Sequence, residues 1–229
     1  MALGDIIQTA TGSGASPSVS AAFPSNITVG NMILAAVYPV NTEADTITSL
    51  QDTRLNGYQR AGPLSPSKSL TERVALYYAW NSPAGANTVQ ANISSANALL
   101  RCMEVESDMT TDPLDTVIYR ALGNANPNAV LLSAKPNAFI AGAFAGVNQI
   151  TAGLGFTSDF AGNSWNWELF QHLANSGNAL NVNVPSVMAA GNWTMVAASF
   201  LLTPPGAAAT PDFGSDAPYP GMYPLARRR

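Results

Sequence analysis

Few side chains in this sequence suit covalent or acid–base chemistry. His172 is the sole histidine and Cys102 the sole cysteine. A hydrolase needs a nucleophile, a base and a group that orients the base. His172 supplies only the base, no Gly-x-Ser-x-Gly elbow accompanies it, and it reads as an ordinary residue at the end of a strand. Cys102 lies inside an apolar stretch, the setting of a small buried hydrophobe rather than a reactive thiolate. With one cysteine, neither an intrachain disulfide nor a Cys-rich zinc or iron–sulfur site can form. No catalytic residue, cofactor or metal ligand is assigned, and the chain reads as a non-enzyme.

The acids are unevenly spread: Glu104, Glu106, Asp108, Asp112 and Asp115 are five of the fourteen. Calcium takes six to eight oxygens from carboxylates and carbonyls, but this spacing matches neither an EF-hand nor a Gly-Asp repeat loop. The plainer readings are a solvated loop or an intersubunit contact. Glu104 and Glu106 share a strand face, yet nothing places a second acid across a cleft as glycoside hydrolysis requires. Trp165 and Trp167 alternate with Asn166 and Glu168, which puts both rings on one face of a strand. Exposed, they would form a glycan platform; buried, they are core, the commoner fate of tryptophan.

These residues must be positioned by strands. Short apolar stretches separated by Gly, Pro, Asn and Ser clusters predict an all-β chain with enough strands for two sheets. Met32 to Tyr38 and Val74 to Trp80 are apolar on both faces, as in strands covered on each side. The Ala-rich stretch Ala138 to Val147 has helical composition, but Gly142 and Gly146 favour a strand. Further strands are expected at Ile6 to Thr9 and Gly153 to Thr157. A weak repeat aligns Asn87 to Ile93 with Asn178 to Val184, and Gly30-Asn31 and Gly191-Asn192 each open an apolar strand.

The chain has 229 residues, of which 10% are charged, against roughly 25% in an ordinary soluble domain. A net charge of -4 gives no basic footprint for nucleic acid. Met1 to Ser20 lacks the pattern of a signal peptide and no apolar run approaches a membrane span, so the expectation is a soluble protein made in the cytoplasm, with no membrane partner. From Pro204 onward, Pro and Gly interleave and deny the chain a regular ladder. The expected organisation is a body over residues 1–203 and an extended arm over residues 204–229. In the arm, Phe213, Tyr219 and Tyr223 offer anchors to a neighbour, and Arg227, Arg228 and Arg229 add a basic end.

Val29 to Val37, Tyr77-Tyr-Ala-Trp-Asn81 followed by Ala84 to Val89, Asp112-Pro-Leu-Asp115 and Trp193 to Phe200 occur in an order that resembles the jelly-roll sandwich domains of tailed-phage virion proteins. The resemblance implies an antiparallel two-sheet jelly-roll-like sandwich with a structural or binding role. The function expected from it is a capsid decoration or cement protein of the virion, partnered by other capsid or tail proteins and by its own copies. The alternative is a carbohydrate-binding or host-adhesion module of a phage fibre, tail or surface protein.

Overall fold

The computed structural model describes residues 2–15, 17–40, 47–63, 73–94, 97–122, 128–132, 138–146, 150–158, 168–173, 181–188 and 191–204. Trp165, Trp167 and the anchors Phe213, Tyr219, Tyr223, Arg227, Arg228 and Arg229 lie outside the described residues.

Among the described residues every regular element is a strand. The first eight are β1 (Ile6–Ala15), β2 (Ser18–Ala22), β3 (Met32–Val40), β4 (Ile47–Asp52), β5 (Gln59–Arg60), β6 (Ala75–Ala79), β7 (Thr88–Ile93) and β8 (Asn97–Val105). The second eight are β9 (Leu114–Leu122), β10 (Asn128–Leu132), β11 (Phe139–Gly146), β12 (Ile150–Ala152), β13 (Thr157–Ser158), β14 (Glu168–Leu173), β15 (Asn181–Met188) and β16 (Trp193–Phe200). The sheets run β1-β8-β3-β6-β5 and β2-β7-β4, then β9-β16-β11-β14-β13 and β10-β15-β12.

The second pair of sheets repeats the first strand for strand. In each half the first strand pairs antiparallel with the eighth, the second with the seventh and the third with the sixth. That is jelly-roll order. Both halves also depart from it in the same way, because the fifth strand extends the sixth instead of joining the fourth. The chain is therefore an all-β antiparallel sandwich in which the two-sheet unit occurs twice. Of the aligned segments, Thr88 to Ile93 and Asn181 to Val184 do belong to equivalent strands, β7 and β15. Gly30-Asn31 and Gly191-Asn192 do not, since they open a third strand and an eighth.

Side-chain alternation sorts the strands into layers. Met32, Leu34, Tyr38, Leu76, Tyr78, Leu99 and Met103 project from one face of the first five-stranded sheet and meet Phe139, Ala141, Ala143, Phe170, Val196, Ala198 and Phe200 of the other. Large residues and alanines are interspersed across this layer, the mix of sizes that lets facing sheets interdigitate. The opposite faces pack outward: Ile33, Ala35, Val37, Leu100 and Cys102 against Val19, Val89 and Ala91, and Ile140, Phe144, Trp193 and Met195 against Ile150. The Ala-rich stretch is the strand β11, buried at all eight positions. Alternation of burial survives in β7, whose sheet has one wet face.

Two strand expectations need correction. β1 does not stop at Thr9 but runs on through Gly12 and Gly14, paired with β8 as far as Ala15 opposite Asn97. Those glycines mark a close approach rather than a turn, because a Cβ on Gly12 would overlap the backbone carbonyl of Ser20. Gly153 to Phe156 is a turn, not a strand, closed by the Phe156 N–H donating to the Gly153 carbonyl at 3.0 Å. Gly12→Ala should therefore lower the unfolding free energy by about 3 kcal/mol. Gly57→Ala, where an added Cβ meets nothing within 4 Å, should change it by less than about 0.5 kcal/mol. Urea unfolding of both variants checks this pair.

Candidate functional site

The loops β2–β3, β4–β5 and β6–β7 gather at one end of the first sandwich. β8 leaves from that end, and residues 106–113 carry the chain across to β9. The equivalent end of the second sandwich lies alongside: the Asp108 N–H donates to the Leu202 carbonyl at 2.9 Å, the Leu201 N–H to the Pro113 carbonyl at 2.8 Å, and Phe200 tilts against Tyr78 with ring centroids 5.2 Å apart.

Two carboxylates hold the loops of this end. Glu104, with no exposed surface, accepts from Gln8 Nε2 at 2.6 Å, from the Thr28 N–H at 2.7 Å and from Asn31 Nδ2 at 2.7 Å. Gln8 in turn accepts from the Ser25 N–H and hydroxyl through its Oε1, so the pair fixes the whole β2–β3 loop. Asp52 is buried at the end of β4. Its Oδ1 accepts from the N–H groups of Arg54 and Asn56, and its Oδ2 from Asn56 Nδ2, the Tyr58 hydroxyl and Asn87 Nδ2. Five charge-assisted bonds to one buried carboxylate satisfy it and stiffen the turn.

That turn presents Leu55 to solvent, 91% exposed and at φ 60°, a left-handed conformation unusual for leucine. The equivalent β12–β13 turn presents Leu154, 97% exposed. Here Gly155 takes the positive φ, and the Gly153 N–H donates to the buried Gln171 Oε1 at 3.1 Å. At the same end of the sandwich, an open cleft of about 290 Å³ is lined by Thr28, Val29, Asn31, Asn81, Glu106, Asp108 and Met109, among others. A second cleft of about 190 Å³ opens among Ser20, Gln51, Asp52, Thr53, Thr88 and Gln90. It adjoins an uncharged ladder on the outer sheet, where Gln51 Nε2 donates to Gln90 Oε1 and Gln90 Nε2 to Ser18 Oγ.

The acids singled out in the sequence do separate tasks. Glu104 is structural and Glu106 and Asp108 line the first cleft. Asp112 accepts from the Tyr78 hydroxyl at 3.3 Å and the Leu114 N–H at 3.0 Å, and Asp115 accepts from the Ser199 hydroxyl at 2.9 Å. Among the described residues no three His, Cys, Asp or Glu converge as a metal site, and no helix is long and apolar enough to cross a membrane. His172 stacks on Phe139 at 5.3 Å, with the rings 6° apart, opposite Ala141 and Thr157. Trp80 stacks on Tyr78. Arg101 faces the layer between the halves, over the Tyr38 ring at 6.0 Å, while Cys102 faces the other way.

Gln8, Asp52, Leu55 and Leu154 escaped the sequence reading. The one signal available was the turn pattern Asp52 to Gly57, in which an Asx residue precedes Asn-Gly; a leucine inside it is out of place. No protein family, curated protein or solved structure matches the chain.

Burial, reinforced by the charge of Asp52, pushes the Cys102 thiol far above its ordinary 9.0. Burial likewise raises Tyr58, helped by Cys102 and Asp52, and raises Tyr78, helped by Asp112, above the usual 10.0. All three are held neutral in the fold, so their contribution is complete below the unfolded values and is lost progressively as pH rises from those toward the raised folded values. Stability should hold up to about pH 9 and then fall, first as unfolded Cys102 ionises and then as the tyrosines do. Urea midpoints measured from neutral to alkaline pH check the direction, and Cys102 in the folded chain should resist thiol reagents.

Proposed function

We propose that this chain is a structural protein of a phage virion, a capsid decoration or cement protein that stabilises the particle through subunit contacts and a C-terminal arm. The observation that carries the reading is the use to which the chemistry-bearing residues are put. Glu104 and Asp52 hold loops, Cys102 fills core and His172 packs on a ring, while the outward face of the β2-β7-β4 sheet carries a neutral polar ladder and the loop tips present exposed leucines. Such a surface suits contact rather than turnover. Jelly-roll sandwiches serve in viral capsid and lectin domains, and a fold alone does not assign a function. The resemblance of segment order to phage virion domains and the low charge support the assembly reading. The arm, outside the described residues, enters on its sequence: a Pro-rich segment is already restricted when free, so ordering it on a neighbour costs less entropy.

A second reading is a carbohydrate-binding or host-adhesion module of a phage fibre or tail. The uncharged amide and hydroxyl ladder beside the second cleft favours it, because such groups pair with sugar hydroxyls.

Antibody labelling of native particles in the electron microscope tests the choice. Labels at symmetric lattice sites support cementing, labels at a fibre tip favour adhesion, and unlabelled particles contradict both. A chain ending at Thr203 should keep its thermal midpoint and lose incorporation, since a buried aromatic anchor is worth about 2 kcal/mol or more. Normal incorporation of the shortened chain would remove the arm from the account.

A further inference from the structure

The Arg54–Leu55 tip has no task within the chain that its geometry explains. Leucine is held at φ 60°, a strained backbone state for a bulky side chain. The Asp52 cage maintains it while leaving the side chain 91% exposed. Beside it the Arg54 guanidinium lies over Gly85, where an added Cβ would sit 3.1 Å from Cζ, and its buried Nε has no hydrogen-bond partner. A fixed apolar side chain next to an arginine has the make-up of an interface anchor. The second sandwich shows that the leucine is no accident of one loop: Leu154 stands as exposed on the equivalent turn, reached through glycines rather than a carboxylate cage. Leu154 is flanked in the chain by Gly153 and Gly155 instead of an arginine.

The complement lies at the same end of the molecule. The first cleft combines Val29, 68% exposed, with the carboxylates of Glu106 and Asp108, and Met109, itself buried, lines it as well. Its volume of about 290 Å³ admits a leucine side chain. The pairing of Ile27 with Gly85 ties the loop that walls this cleft to the loop on which Arg54 rests, so tip and cleft belong to one end of the sandwich. Complementary surfaces carried at one end of the same chain are the arrangement that a closed two-fold contact between identical chains uses.

We propose that the Arg54–Leu55 tip docks into the Glu106–Asp108 cleft of a second copy of this chain, and reciprocally. Leucine meets Val29, and the guanidinium meets the two carboxylates. An anionic bilayer is the poorer occupant, because the chain carries a net charge of -4 and membrane-seeking tips pair apolar residues with several basic ones. The inference rests on the reading that the chain works through subunit contacts, and it names one such contact.

Sedimentation velocity of the full chain over a concentration series tests it. The expected result is a salt-sensitive monomer–dimer equilibrium. Leu55→Asn should raise the dissociation constant about 30-fold and leave the thermal midpoint unchanged or higher, since asparagine tolerates positive φ. Arg54→Glu and Asp108→Arg should each weaken the dimer, and the two together should restore it. A monomer at every concentration, a dimer indifferent to Leu55→Asn, a charge swap that fails to restore, or Leu55-dependent binding to phosphatidylserine vesicles would each overturn it. Particle labelling keeps the two readings apart. A tip-dependent dimer absent from particles sinks only the virion reading, and a monomer found on particles sinks only this contact.

Discussion

Where Phe200 tilts against Tyr78, the last strand of one sandwich meets the inner sheet of the other, and the layer around this contact governs the rest of the fold. Each five-stranded sheet has a second face already covered by its own outer sheet. Contact through the inner layer therefore leaves β3, β6, β8, β11 and β16 without a wet side. Their sequences must be apolar at odd and even positions alike, which is a large part of why only 10% of the chain is charged. Each phenylalanine buried in that layer stabilises the pairing by roughly 1.5–3 kcal/mol, and a separated half would expose all of them at once.

Polar groups inside so dry an arrangement must be satisfied or they destabilise it. Glu104 and Asp52 meet this condition by collecting backbone N–H groups and side-chain amides from the loops around them. The same bonds that satisfy them hold the loop end rigid. Arg101, fully buried between Leu99 and Met103 in alternation, lies over the Tyr38 ring, with its stem in the inner layer. Rigidity at the loop end then has a functional meaning. A tip fixed before contact loses little entropy on docking, so Leu55 and Leu154 are presented in a form suited to binding.

Much of the fold was legible because its signals are local. The apolar run Met32 to Tyr38 lies within β3 and the repeat segment Asn87 to Ile93 contains β7, since apolar runs and flanking turn residues mark them. The equivalence of β7 and β15 was visible in a shared Asn-rich pattern. What stayed hidden was long-range. Nothing local distinguishes a glycine at a turn from Gly12, whose need arises from the carbonyl of Ser20 on another strand. The acids from Glu104 to Asp115 looked like a cluster because they are close in sequence, but a strand end and a crossing segment point them at different partners. Leu55 looked like any apolar residue in a loop, and only the carboxylate cage beneath it shows that its exposure is enforced.

The central claim is that the two sandwiches share one core and stand or fall together. Residue-resolved hydrogen exchange of the full chain carrying Phe200→Ala tests it most directly, because the substitution lies in β16 and the question is what happens in β3. Loss of a buried phenylalanine costs about 3–5 kcal/mol. A shared core predicts that the amides of β3, from Met32 to Val40, lose protection by the same free energy as those of β16. Protection lost in β9 to β16 alone, with β3 unchanged, would mean two independent sandwiches and would contradict the account.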